Sequence, residues 1–162
     1  SAQELEDTRR RLQLPDRFLF YPAQFWVHKN HLRLVEAFKQ VVQEFPGLGL
    51  VLTGKQRDQY HLVMAAVDRL ALRDSVRHIG HVELDDLQAV YQLATVLVMP
   101  SLFESVSIPI YEAFLASTPV AAPSARWTTA AGSSPRIGCG RRGSLRAPGY
   151  RGAIAGVIAR GR

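Results

Sequence analysis

From Arg17 onward, short apolar runs alternate with stretches whose apolar residues recur at helical spacing, and that alternation restricts the chain to an α/β sheet of parallel strands. The runs "RFLFYPA" (17–23), "LGLVLTG" (48–54), "SVRHIG" (75–80), "VLVMP" (96–100) and "PVAAP" (119–123) each read as a short buried strand. Between the first two, Leu34, Phe38, Val41 and Phe45 lie on one helical face, with Asn30 as the expected N-cap and "PG" at 46–47 as the stop. "DQYHLVMAAVDRLAL" (58–72) places Val63, Ala66, Val67 and Leu70 on one face, and 84–94 opens with Asp85 and Asp86, which complement a helix dipole. "SIPIYEAFLAS" (107–117) completes the set. Strands separated by helices join through right-handed crossovers, so the expected architecture is a twisted parallel sheet of about five strands with helices on both faces.

In such a sheet ligands bind beyond the carboxyl ends of the strands, where helix N-termini also point. The rule selects 24–29, 53–55, 80–82, 101–104 and 105–107. Glu104 follows the fourth strand, and Glu112 lies seven intervening residues further on, past the first helical turn. Ser105 or Ser107 can cap that helix and Pro109 suits its first turn, leaving free N–H groups that favour an anion such as phosphate. Carboxylates beside a phosphate site suit hydroxyl-bearing ligands, ribose and sugar rings among them; two solvated helix-end acids are the plainer reading of the same pair.

Composition is that of a globular domain, with 162 residues of which 47% are hydrophobic and 21% charged. No apolar run reaches the ~18 residues of a membrane span, no signal peptide opens the chain, and the lone Cys139 fits a reducing cytosol. The net charge of +6 is unevenly spread. Residues 1–124 carry 12 Lys and Arg against 14 Asp and Glu, a formal charge of −2, whereas 125–162 carry eight Arg and no acid. No basic stripe follows a helix, so a nucleic-acid partner is not expected from the body of the chain; an RNA-binding reading would rest on the tail alone. That tail, with eight Gly among its 38 residues, reads as mostly disordered. His28 and His31 lack a third ligand at metal spacing, Arg9 to Arg11 read as a solvated helix face, and Phe25 and Trp26 as either cleft lip or packing.

"PSLFESVSIPIYEA" with "PV" following resembles the signature of group 1 (family 4) glycosyltransferases of the GT-B fold. "FLFYPAQFWVHKNHLRLVEAFKQV" is similar to that family's first strand, diphosphate loop and helix, "LVLTGK" to its second strand and glycine turn, and "VRHIGHVELDDLQAVYQLATVLVMPSLFE" to the stretch from the base-binding loop to the first glutamate. The resemblance covers about 15–124, as the nucleotide-sugar-binding domain, preceded by a helical lead-in at 1–14 and followed by the atypical tail at 125–162.

The resemblance implies one half of a GT-B fold and retaining transfer of a hexosyl group from a UDP-, GDP- or ADP-linked sugar to an acceptor hydroxyl, without a metal or other cofactor. It implies that Glu104 holds donor-sugar hydroxyls beside the reacting carbon, Glu112 the ribose, and Lys29 the diphosphate. The backbone around Gly80 to Val82, with His81 beside it, would meet the base, and Gly54 would let the nucleotide approach closely. Gln24, Ser105, Val106 and Ser107 complete the donor site. It further implies an N-terminal acceptor-binding domain outside this chain, without which turnover is low, a cytoplasmic location, and room for peripheral membrane attachment in the full-length enzyme. Three departures stand out. Gln24 occupies about the place where the family carries an arginine ahead of its lysine. Ser105 and Ser107 replace glycines. The Arg/Gly-rich tail suggests a disrupted or out-of-frame terminus. These departures support the rival reading, a non-catalytic nucleotide-binding or interaction module with a decayed donor site; a sugar epimerase on the same fold is a further alternative.

Overall fold

The computed structural model describes residues 1–104 and 106–122; the expectations for Ser105 and for the tail at 125–162 lie outside the described residues. Five strands form a single parallel sheet: β1 (Arg17–Pro22), β2 (Leu48–Thr53), β3 (Val76–His78), β4 (Val96–Val98) and β5 (Val120–Ala121), in the spatial order β3-β2-β1-β4-β5. The helices are α1 (Ala2–Arg11), α2 (His31–Glu44), α3 (Tyr60–Arg69), α4 (Leu84–Leu93) and α5 (Ile108–Leu115). α2 packs against α3, and α4 against α1 and α5. Right-handed crossovers running in opposite directions from β1 put these two helix groups on opposite faces.

The sheet is therefore covered twice, which is why its strands read as continuous apolar runs rather than alternating ones. Phe18, Leu19, Phe20 and Tyr21 of β1 are all fully buried, as are Leu50, Val51 and Leu52 of β2. Each such side chain contributes roughly 1.5–3 kcal/mol on leaving water. The strands are shorter than their apolar runs. β1 stops at Pro22 and β4 just before Met99–Pro100, because proline has no N–H with which to continue a ladder.

Two helix ends differ from expectation. Asn30 precedes α2 but its side chain does not cap it; the residue is left-handed (φ 61°) and its amide donates to Pro100 O at 3.0 Å. The arginines of α1 are not merely solvated. Arg9 donates to Pro15 O at 2.7 Å, and Arg11 makes a two-pronged bond to Asp86 of α4 at 2.5 and 2.6 Å. That fork draws the Asp86 carboxyl below its usual range and docks the lead-in helix on the sheet's far layer.

β1 lies between β2 and β4, and the chain leaves it toward opposite sides, so the crevice at its carboxyl end is the topological switch point. Gly54, just beyond β2, is part of what closes this edge. Its φ is +116°, and a Cβ there would lie 2.6 Å from Ala23 O and 2.9 Å from Gln24 N. Gly54 permits a close approach by the chain leaving β1. Gly54→Ala is expected to lower the unfolding free energy by roughly 1–3 kcal/mol, through both the clash and the glycine-only backbone. Chemical denaturation measures it, and an unchanged midpoint would contradict the packing role.

Candidate functional site

Two loops meet at the switch point, 23–30 after β1 and 99–107 after β4. They are stitched together by hydrogen bonds that no local sequence pattern announces. Leu102 N donates to His28 O at 2.9 Å, and the Asn30 amide reaches Pro100 O from the other side. Between them the Tyr21 hydroxyl donates to Lys29 O at 3.0 Å and lies 2.9 Å from Ser101 Oγ. Burial, the largest influence on this phenol, holds its pKa well above the ordinary value, so it stays a neutral hydrogen-bonding group. The result is a fixed frame for the two residues at its mouth.

Those residues are Lys29, at the end of a 3-10 turn spanning Val27–Lys29, and Glu104. The Lys29 ammonium donates to Glu104 Oε1, and the two side chains are only 20% and 10% exposed. A cation and an anion, both largely withdrawn from water, thus neutralise each other. A ligand offering negative charge to Lys29 and hydroxyls to Glu104 could divide the pair between its two ends.

Glu112 lies on α5, half-buried, with its Oε2 accepting from the Tyr91 hydroxyl of α4 at 2.6 Å. Tyr91 is 1% exposed, packs edge-on to Phe20, and accepts at its own carbonyl from Thr118 Oγ1 at 2.6 Å. Burial first, then the Glu112 carboxylate, raises this phenol's pKa above its ordinary value. The tyrosine consequently remains a donor, fixing one carboxylate oxygen and leaving the other to a ligand. Ser107 is the N-cap of α5, yet it makes no side-chain cap bond; its buried Oγ has no partner at all. An unsatisfied hydroxyl at the start of a helix fits an anion that accepts from it, although Pro109 has no N–H and the Ile110 N–H already donates to Ser107 O at 3.1 Å.

The remaining expected residues spread around this centre. Val106 is 65% exposed on the connection into α5. Gly80 has φ +75° and open space where a Cβ would be, but its carbonyl is used by Gly54 N–H at 2.9 Å, so only the other backbone groups of 80–82 face outward. His81 is exposed and Val82 half-buried on that loop. Gln24 is exposed, and its Oε1 accepts from Arg57 Nε at 3.0 Å. Phe25 turns fully inward, stacked on His31 at 4.2 Å, while Trp26 stays 37% exposed. His31 cannot pair with His28 on a metal: it is 1% exposed, behind Phe25, and no metal-sized cluster of His, Cys, Asp or Glu forms among the described residues. Tyr21, Tyr91 and Arg57 were not found by sequence reasoning. No local pattern marks Tyr91, because only tertiary structure sets it against Glu112.

The sequence profile described as "Glycosyl transferases group 1" matches residues 3–126. The chain belongs to that family. Among curated proteins it is 29% identical, over 119 residues, to the serotype-specific mannosyltransferase WbdA of Escherichia coli, covering 70% of this chain but 14% of that protein. Among solved structures, sucrose-phosphate synthase from Thermosynechococcus elongatus superposes with a TM-score of 0.77 at 25% identity, over 95% of this chain and 39% of that one. Anabaena HepE, solved in complex with UDP and glucose, gives a TM-score of 0.82 at 18% identity, over 98% of this chain and 43% of that one. The chain therefore spans well under half the length of each. The family's GT-B neighbours share the Rossmann-like sheet seen here, and no helix among the described residues is long and apolar enough to cross a membrane.

Two measurements follow from the geometry. Lys29→Met strands the Glu104 carboxylate, costing roughly 1–3 kcal/mol of stability, and Glu104→Gln in the same chain recovers most of it. Strictly additive effects in that double-mutant cycle would show the pair is not coupled. His31, at the start of α2, has its pKa lowered to about 4, by burial first; the Ala23 carbonyl pulls the other way, and His78 and Lys29 add smaller downward pushes. The unfolded chain takes up this proton near pH 6.5 and the folded chain only near the lower value, so the contribution is full above pH 6.5. It is lost as the pH falls toward 4, by about 3 kcal/mol. His31→Phe should flatten that part of the stability–pH curve; an unchanged slope would contradict a neutral buried histidine.

Proposed function

We propose that this chain is the donor-binding half of a retaining glycosyltransferase, which transfers a hexosyl group from a nucleoside diphosphate sugar to an acceptor hydroxyl. The observation that carries the reading is the Lys29–Glu104 pair at the switch point, in a chain of the group 1 family, with Glu112 and the α5 N-terminus beside it. On donor binding Lys29 releases Glu104 and takes the diphosphate, a point-charge role suited to an ammonium. Glu104, freed of its cation, accepts from sugar hydroxyls next to the reacting carbon. Glu112, oriented by Tyr91, accepts from the ribose. The Ser107 hydroxyl and the positive end of the α5 dipole meet phosphate oxygens, so leaving-group charge is stabilised without a metal.

A nucleotide ligand is supported by HepE, whose structure was solved with UDP and glucose. The acceptor site is supplied by a second domain, in keeping with the length of the related chains, so the 162-residue chain by itself binds donor and turns over little. We place the reaction in the cytosol, in keeping with the lone cysteine.

Calorimetric titration with UDP, GDP and ADP tests the reading. One of the three is expected to bind, with affinity falling by about tenfold in Glu112→Ala as charge-assisted hydrogen bonds to the ribose are lost. Binding that ignores Glu112, or no binding by any of the three, would contradict it.

A further inference from the structure

Lys29 brings one positive charge to the site, and Glu104 beside it offsets that charge. A bound diphosphate carries at least two negative charges, so the centre described so far is short of cation. Arg57 lies within reach of the same loop. It follows β2, in the connection that the backbone ties to the β1 loop at both ends: Phe25 N donates to Lys55 O at 3.3 Å and Gln59 N to Phe25 O at 3.1 Å. Its guanidinium lies 5.1 Å from the centre of the Trp26 ring, and its Nε donates to Gln24 Oε1 at 3.0 Å.

Most arginines with a partner on this molecule are tied to carboxylates: Arg9, Arg10, Arg11, Arg69 and Arg73 all make ion pairs. Arg57 is held instead by an aromatic face and a neutral amide, which restrict its position without cancelling its charge. Because Nε serves Gln24, both terminal NH2 groups remain to bind an anion, and a planar fork of this kind matches two phosphate oxygens. The amide of Gln24 contributes in the same direction. With its oxygen turned to Arg57, its NH2 is the part left to donate.

We propose that Arg57, positioned by Gln24 and Trp26, is the second cation of the diphosphate site, acting with Lys29 from the neighbouring connection after β2. The inference rests on the donor-site reading above and adds to it the residue that supplies the missing charge. It also gives Gln24 a role that an uncharged residue can perform, namely orienting the guanidinium.

The test is calorimetric titration of the full chain with UDP, GDP and ADP and with the corresponding monophosphates, on wild type, Arg57→Ala, Arg57→Ala/Gln24→Arg and Glu112→Ala. The expected result is a loss of about tenfold in diphosphate affinity for Arg57→Ala, with the monophosphate of the same base changed far less, since the fork serves the outer phosphate. Gln24→Arg, placed 3.0 Å from where Nε lay, should restore most of the loss by returning the charge to the same loop. Undiminished diphosphate binding in Arg57→Ala, alongside weakened binding in Glu112→Ala, overturns the role of Arg57 and leaves the donor site standing. An equal loss for mono- and diphosphate, or no rescue by Gln24→Arg, also overturns it. Absence of nucleotide binding in the wild type overturns the donor reading itself, and Arg57 with it.

Discussion

A phenol at the end of the central strand holds the site together. Tyr21 closes β1, and its hydroxyl joins the backbone of Lys29 to the side chain of Ser101 across the gap between the two loops. Besides that joint, the loops after β1 and β4 are connected by Leu102 to His28 and Asn30 to Pro100 at their flanks and by the Lys29–Glu104 pair at the mouth. Buried hydroxyl pairs of this kind contribute roughly 1 kcal/mol net, but leaving one partner stranded costs more, so the joint is hard to dissolve piecemeal. Everything at the mouth of the crevice is placed relative to it. Lys29 and Glu104 meet because their backbones are fixed on either side of the same hydroxyl.

The site is also economical in how it stores polar groups before a ligand arrives. Lys29 and Glu104 satisfy one another, Glu112 is half-satisfied by Tyr91, and Gln24 by Arg57. Among the described residues the Ser107 hydroxyl and the ring nitrogens of His31 are left buried without a hydrogen-bond partner. These pairings preorganise the side chains and hold charges in place at little cost in solvation. A donor exchanges them for its own groups: negative phosphate for the carboxylate on Lys29, and hydroxyls for the ammonium on Glu104. Its net gain is therefore smaller than the individual contacts suggest, because existing bonds are given up.

Much of this was legible in the sequence, for a physical reason. A sheet covered on both faces writes each strand as an unbroken apolar run, and "RFLFYPA" and "LGLVLTG" are the two deepest strands. Since ligands gather at the carboxyl ends of parallel strands, the sequence pattern alone puts Lys29, Glu104 and Glu112 at one edge. What could not be read are features created by residues distant in sequence. Arg11 and Asp86 are 75 positions apart, and Tyr21 and Ser101 are 80. Asn30 was expected to cap α2 because asparagine before a helix usually does; here the neighbouring loop offers Pro100 O, and the amide goes there. The packing of Gly54 against Ala23 was likewise not readable, since the two residues follow different strands.

The central claim is that a nucleoside diphosphate divides the Lys29–Glu104 pair at the switch point. A crystal structure of the chain with whichever of UDP, GDP or ADP it binds tests this most directly. The account requires the diphosphate to lie between Lys29 Nζ and the N-terminus of α5, with Lys29 withdrawn from Glu104 and the ribose on Glu112. A nucleotide seated elsewhere, or one bound at this edge with the Lys29–Glu104 contact intact, would contradict it.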